Sequence, residues 1–209
     1  MRIVCISDTH IQHRFTIPDG DVLIHAGDGT SKGNWREIAT WFSWLALQPH
    51  RHKVVIAGDH DFMFEREPEA VQGLLPHGIT YLQDSGIEIE GIKFWGSPWQ
   101  PWFFDWAFNL PRGQRLAEKW AQIPDDTQVL ITHGPPHGIL DRLPGPKREK
   151  VGCEALLERI HTLPRLRLHI FGHIHHSYGK VQRNGVKFVN ASICDERYRA
   201  AHAPIVVEL

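Results

Sequence analysis

Short apolar runs rich in β-branched residues recur along the chain at Arg2–Ile6, 22–25, 53–57, Val129–Thr132 and Leu168–Phe171, each ending in a polar or glycine-rich segment. Runs of this length that feed loops predict buried strands. Two further patterns predict hairpins: 87–89 with 93–95 around Glu90-Gly91, and 178–182 with 186–189 around Asn184-Gly185. Ile205–Glu208 reads as a last strand. Between the strands the period lengthens. Trp35, Ile38, Phe42 and Leu45 mark one face of a helix that Asn34 caps, and similar patterns occupy 68–75, 111–121 and 152–161. Strands alternating with helices, then filled out by hairpins, predict an α/β protein with mixed sheets and helices outside.

The chain has 209 residues, with no low-complexity tract or internal repeat, so a single domain over 1–209 is expected. Its 23 basic and 24 acidic side chains nearly cancel, which removes the footprint of a general nucleic-acid or membrane binder. No apolar run approaches the roughly 20 residues a bilayer requires, and no leader pattern opens the sequence. Three widely spaced cysteines, Cys5, Cys153 and Cys194, argue for a reducing compartment. A cytoplasmic location is the expectation. The fifteen histidines stand out, because imidazole is the commonest metal ligand.

Carboxylates and imidazoles gather just after the predicted strands, where open α/β sheets place their sites. The five stretches are Ser7-Asp8-Thr9-His10, Ala26-Gly27-Asp28, Gly58-Asp59-His60-Asp61, Thr132-His133-Gly134 and Gly172-His173-Ile174-His175. Asp8 and His10, two apart, point the same way if the chain there is extended. One such residue at a strand end is ordinarily a turn residue. Five together, four with a glycine directly beside the polar group, predict a metal site. Oxygen and nitrogen donors without thiolates suit Mn, Fe, Co, Ni or Zn in a catalytic centre.

The ordered series Asp-x-His, Gly-Asp, Gly-Asp-His-Asp, His and Gly-His-x-His resembles the calcineurin-like metallophosphoesterases. It is closest to their small metallophosphoesterase-domain branch, which is class III phosphodiesterase-like. Gly96-Ser97-Pro98-Trp99, 108–113, His133-Gly134-Pro135-Pro136 and Asn190-Ala191-Ser192 extend the likeness over the whole chain. The resemblance implies a four-layer α-β-β-α sandwich and two divalent metals, manganese first among the candidates. One ion would be held by Asp8, His10, Asp28 and His175, the other by Asp28 as a bridge with Asp59, His133 and His173. His60 would protonate the leaving oxygen while a metal-bridging hydroxide attacks. The implied partner is a small phosphoester, with cyclic nucleotides or other phosphodiesters ranked first. Phosphomonoester or phosphotriester hydrolysis on the same centre, or a low-activity nucleotide-binding scaffold, are the alternatives.

Asp59 departs from the family pattern, which carries asparagine there. An extra carboxylate removes one positive charge from the centre and should tighten metal retention at the expense of turnover. His173 is present where some vertebrate members carry glycine, so a complete dinuclear centre is expected. Finally, 95–106 holds four tryptophans and two phenylalanines. The segment either packs as a hydrophobic patch under a loop or forms a wall beside the metals, with Trp99 and Trp102 the expected substrate contacts, because aromatic faces stack nucleobases and aryl esters. His25, inside a strand, is expected to be a buried hydrogen-bonded group.

Overall fold

The computed structural model describes all 209 residues. In chain order the first half runs β1 (Arg2–Ile6), β2 (Val22–Ala26), α1 (Trp35–Ala46), β3 (His52–Ile56), α2 (Phe62–Arg66), α3 (Pro68–Leu74), β4 (Ile79–Tyr81), β5 (Ser85–Ile89) and β6 (Ile92–Ser97). The second half runs β7 (Gln100–Pro101), β8 (Asn109–Leu110), α4 (Gln114–Trp120), β9 (Val129–Thr132), α5 (Glu154–His161), β10 (Leu168–Phe171), β11 (Gly179–Arg183), β12 (Val186–Asn190) and β13 (Ile205–Glu208), with a 3-10 turn at His175–Ser177. No helix is long and apolar enough to cross a membrane.

One sheet has the order β13-β1-β2-β3-β4 and the other β11-β12-β10-β9-β6-β5. Strands β1 to β4 run parallel, as do β6, β9, β10 and β12, while β13, β11 and β5 pair antiparallel at edges. The parallel strands carry apolar residues at both parities because both faces are covered. Ile3, Cys5, Ile24 and Ile56 face Val129, Ile131, Ile170 and Val189 of the other sheet in a central core. The opposite parity of β1 and β2, Val4, Ile6 and Leu23, packs under Ile38, Trp41, Phe42 and Leu45 of α1. Leu130, Phe171 and Phe188 pack on Leu116 and Trp120 of α4 and Leu156 and Ile160 of α5. Three apolar layers between four layers of secondary structure are the α-β-β-α sandwich, the metallo-dependent phosphatase fold.

Asn34 Oδ1 accepts the Glu37 N–H at 3.1 Å and caps α1 as expected. The buried stripe of that helix uses Trp41, while Trp35 lies at the surface. Three features escape the periodicity: α2 and β4 are short, and the β7–β8 ladder has two residues per strand. All three cysteines are buried and free. Parallel strands in both sheets bring the ends of β1, β2, β3, β9 and β10 to one edge of the sandwich, and the polar stretches follow there.

Candidate metal centre

The chain leaves β1 and β2 in the left-handed region. Asp8, His10 and Asp28 have φ of 50°, 42° and 56°, and His173 after β10 has 66°. Asp8 and His10 therefore reach the same cluster by a left-handed turn, and the extended geometry expected from their spacing is corrected. Such residues cost roughly 1–3 kcal/mol each and persist only where surroundings impose them. Here the exits of β1 and β2 stay paired: Asp8 N donates to Gly27 O at 2.9 Å and His10 N to Asp28 O at 3.0 Å. Two glycines make room. A Cβ on Gly172 would lie 1.9 Å from Asp8 Oδ2, and one on Gly58 would lie 2.3 Å from Asp28 Oδ1.

All seven expected donors converge from both sheets. Asp8, His10 and His175 form one group whose ligand atoms lie within 4.8 Å of one another, and Asp59, His133 and His173 form another. Asp28 lies between them, its Oδ2 3.7 Å from His10 Nε2 and 3.6 Å from His133 Nε2. In the first group His175 Nε2 is 3.2 Å from Asp8 Oδ1 and 3.4 Å from His10 Nε2. In the second, Asp59 Oδ1 is 2.7 Å from His133 Nε2 and 2.9 Å from His173 Nδ1. His60 falls within the same reach of His10 and Asp28.

The donor set fits a pair of divalent cations. Three imidazoles spend Nδ1 on backbone carbonyls: His10 on Thr30 O at 3.1 Å, His133 on Ala26 O at 3.0 Å and His175 on Asp195 O at 3.0 Å. A carbonyl accepts only from N–H, so each Nε2 is left facing the cluster, the tautomer a metal ligand needs. The carboxylates crowd one another without a lysine or arginine. Burial and the neighbouring Asp59 push Asp28 well above the usual carboxylate range. Burial works against the charge of Asp59 too, yet His173 and His133 outweigh it and hold that carboxyl well below its usual range. Burial disfavours His133 as a cation, but Asp28 and Asp59 together hold its pKa well above the ordinary value. The geometry agrees, since Nδ1 faces Ala26 O and Nε2 faces Asp59 Oδ1. A cation at Nε2 displaces that proton.

Several positioning groups were not assigned a role from the sequence. Asp61 Oδ2 accepts the N–H of Asp28 at 2.9 Å and of Gly58 at 2.8 Å, while Oδ1 accepts Thr30 N at 3.0 Å and Thr30 Oγ1 at 2.7 Å. One buried carboxylate thus ties the β2 exit to the β3 exit. Ser192 Oγ donates to Asp8 Oδ2 at 2.9 Å. Asp195 belongs to a tight loop in which its Oδ1 accepts the N–H of Arg197 and Arg199. The signal for Asp61 was present in Gly58-Asp59-His60-Asp61, where the second aspartate had no partner assigned. His25 is buried with Nε2 2.9 Å from Thr9 Oγ1, the hydrogen-bonded position expected of it.

The cleft over the donors is lined by Asp28, Asp59, His60, His173 and His175 with Phe103, Trp106 and Tyr198. Trp106 lies with its ring centroid 4.2 Å from that of His60, and Tyr198 sits edge-on to His10 at 4.7 Å. Trp99 does not line the cleft. Its Nε1 donates to Asp84 Oδ2 at 2.8 Å and Lys119 Nζ lies over its ring, so it is a packing residue and the expectation of a substrate contact there is corrected. Trp102 lines a neighbouring cavity.

Comparison with known proteins follows the same lines. The calcineurin-like phosphoesterase family matches residues 1–177. Metallophosphoesterase domain-containing protein 1 of Homo sapiens is 44% identical over 232 residues, which cover 100% of this chain and 71% of that protein. A UPF0046 protein of Caenorhabditis elegans is 39% identical over 220 residues, covering 99% of this chain and 74% of its own length. The crystal structure of TT1561 of Thermus thermophilus superposes with a TM-score of 0.60 at 15% identity, covering 90% of this chain and 88% of that one, a likeness of fold. With a family match over most of its length, a relative aligned along the whole chain and a cluster of donors that fits divalent cations, this chain belongs to the calcineurin-like phosphoesterase family.

Proposed function

We propose that the chain is a phosphodiesterase working with two divalent cations, manganese first among Mn, Fe, Co, Ni and Zn. Asp8, His10, Asp28 and His175 would hold one ion, and Asp28, Asp59, His133 and His173 would hold the other. The observation that carries this reading is the position of Asp28 Oδ2, nearly equidistant from His10 Nε2 and His133 Nε2 at 3.7 and 3.6 Å. One carboxylate oxygen between two donor groups is what a pair of ions sharing a ligand requires. When bound, the ions supply positive charge for a phosphoryl group and activate water for attack on phosphorus.

His60 differs from the donors. Its Nδ1 is bound to Ser31 O at 2.8 Å and its backbone N–H donates to Asp28 Oδ1 at 2.9 Å, which fixes the ring at the cleft. Nε2 has no protein hydrogen-bond partner and exchanges the proton, donating it to the leaving oxygen of the ester. Charge selects the ester class. Three carboxylates against two divalent ions leave one positive charge, and no lysine or arginine lines the cleft. A monoanionic diester is better matched to that field than a dianionic monoester. Cyclic nucleotides and other small phosphodiesters are the substrates of this reading, with Trp106 and Tyr198 offering aromatic surface beside His60.

The test is hydrolysis of bis(p-nitrophenyl) phosphate and of p-nitrophenyl phosphate after manganese loading. The diester is expected to turn over and the monoester to lag. Preference for the monoester would defeat the diesterase reading, and no metal-dependent turnover of either would defeat the enzyme.

A further inference from the structure

The cleft above the donors has a neighbour. A cavity of about 280 Å³ opens on the far side of His173, lined chiefly by Pro101, Trp102, Phe103, Leu143, Val151 and Ile174. Phe103, Leu143, His173 and Ile174 line both spaces, so the two meet at one of the imidazoles in the donor cluster. Phe103 stands between them.

The one cation on the wall of the second cavity, Arg112, is paired: its guanidinium donates to Val151 O at 2.6 Å, Gly152 O at 2.8 Å and Glu154 Oε2 at 2.6 Å. The rest of the lining is mainly apolar. Meanwhile Trp102 and Phe103 are 58% and 52% exposed, so aromatic surface stands uncovered at the entrance. Such surface gains from contact with a flat or apolar group. A small apolar space joined to a site for a phosphoryl group has room for an organic group attached to it.

We propose that this cavity is the subsite for the second, uncharged arm of a phosphodiester, an aromatic or apolar substituent that rests against Trp102 and Phe103 while the leaving arm lies beside His60, Trp106 and Tyr198. The inference deepens the phosphodiesterase reading and rests on it. Among the phosphodiesters of that reading it favours those with two separate organic arms.

The experiment compares p-nitrophenyl phenyl phosphate with p-nitrophenyl methyl phosphate on the manganese-loaded full chain, so that the leaving group is constant and only the second arm changes. The phenyl ester is expected to be favoured at least tenfold in kcat/KM, with the gain mainly in KM. Trp102→Ala should bring that ratio to within twofold of unity, and Trp102→Phe should restore most of it. Equal ratios in the parent and Trp102→Ala would overturn the subsite. A parallel calorimetric titration with diphenyl and dimethyl phosphate reads the subsite without turnover. Tighter binding of the diphenyl ester in the parent alone, with no hydrolysis of either substrate, would sink the catalytic reading and keep the subsite. Equal binding would sink the subsite whatever the turnover. Sedimentation of parent and Trp102→Ala completes the test, since loss of a dimer on substitution with no change in the ester ratio would assign the aromatic surface to a second copy of the chain.

Discussion

Two sets of histidines, one inside the strands and one at their ends, are equally buried and differ in what their ring nitrogens meet. His25 and His169 lie in strand interiors with 0% exposure, and His10 and His133 at the strand ends are 2% and 0% exposed. The interior pair each put Nε2 against a threonine hydroxyl, Thr9 at 2.9 Å and Thr132 at 2.8 Å, and leave Nδ1 without a partner. Burial pushes the pKa of both down to about 3, so they stay neutral. The strand-end set commits Nδ1 to carbonyls and turns Nε2 toward carboxylates; burial still pushes His10 down to about 3, while at His133 the carboxylates of Asp28 and Asp59 outweigh burial and raise the pKa. Burial alone does not determine what a histidine does. The partner of each ring nitrogen does. The two sets also touch, because Thr9 stands between Asp8 and His10 and Thr132 precedes His133, so each interior imidazole braces the chain beside a donor.

The largest test of this contrast is His60, whose Nδ1 is bound like that of the strand-end donors but whose Nε2 is free. His60→Ala is expected to cut diester turnover by about 10²–10⁴ while metal content, measured by elemental analysis, stays at two ions. Loss of an ion would move His60 into the ligand set. Next is Asp61, which supports the donors without facing the cleft. Asp61→Ala strips an acceptor from three buried N–H groups and one hydroxyl, and the urea midpoint should report a loss of about 3–5 kcal/mol. A loss below about 1 kcal/mol would contradict its assignment as the tie between β2 and β3.

A smaller effect reads the interior set directly. The folded pKa of His169 is about 3, below its unfolded value, so its contribution to stability is complete above roughly pH 6.5 and declines as pH falls toward 3. Relative to His169→Phe, the parent should lose about 2 kcal/mol between pH 7 and pH 5. A flat difference would mean the ring takes up its proton in the fold as readily as in the unfolded chain. The smallest change concerns Asp59. Asp59→Asn should weaken affinity at one metal position about tenfold, roughly 1.4 kcal/mol, and raise diester turnover. A variant slower than the parent would remove the idea that this carboxylate quiets the centre.

Much of this arrangement was legible in the chain because strand ends announce themselves. A buried parallel strand is an unbroken apolar run, and the polar residue that stops it is the residue its sheet delivers to the edge. Seven donors and His60 were readable in this way once a family resemblance supplied their grouping. Asp61 sat within a quoted motif, but its role depends on the N–H groups of Asp28 and Thr30, 33 and 31 positions away, which no local pattern records. Trp99 and Trp106 fall in one aromatic segment, and the sequence offers no period to say which faces the donors. The path is set by turns such as the left-handed Phe104, φ 50°. Tyr198 reaches the cleft on a loop fixed by Asp195 and itself has φ 56°. The short α2, β4 and the β7–β8 ladder lack enough residues to express a period at all.

The donors come from both sheets, and that has a mechanical consequence. His10 and His175, 3.4 Å apart, are separated by 165 positions in the chain. An ion held by both would close a loop nearly as long as the molecule, a topological staple of the kind that disulfides provide in oxidised proteins and that the three buried free thiols do not provide here. Unlike a disulfide, such a staple would be set by the free concentration of a metal, and its grip on the fold would rise by RT ln(1 + [M]/Kd) as the ion became available.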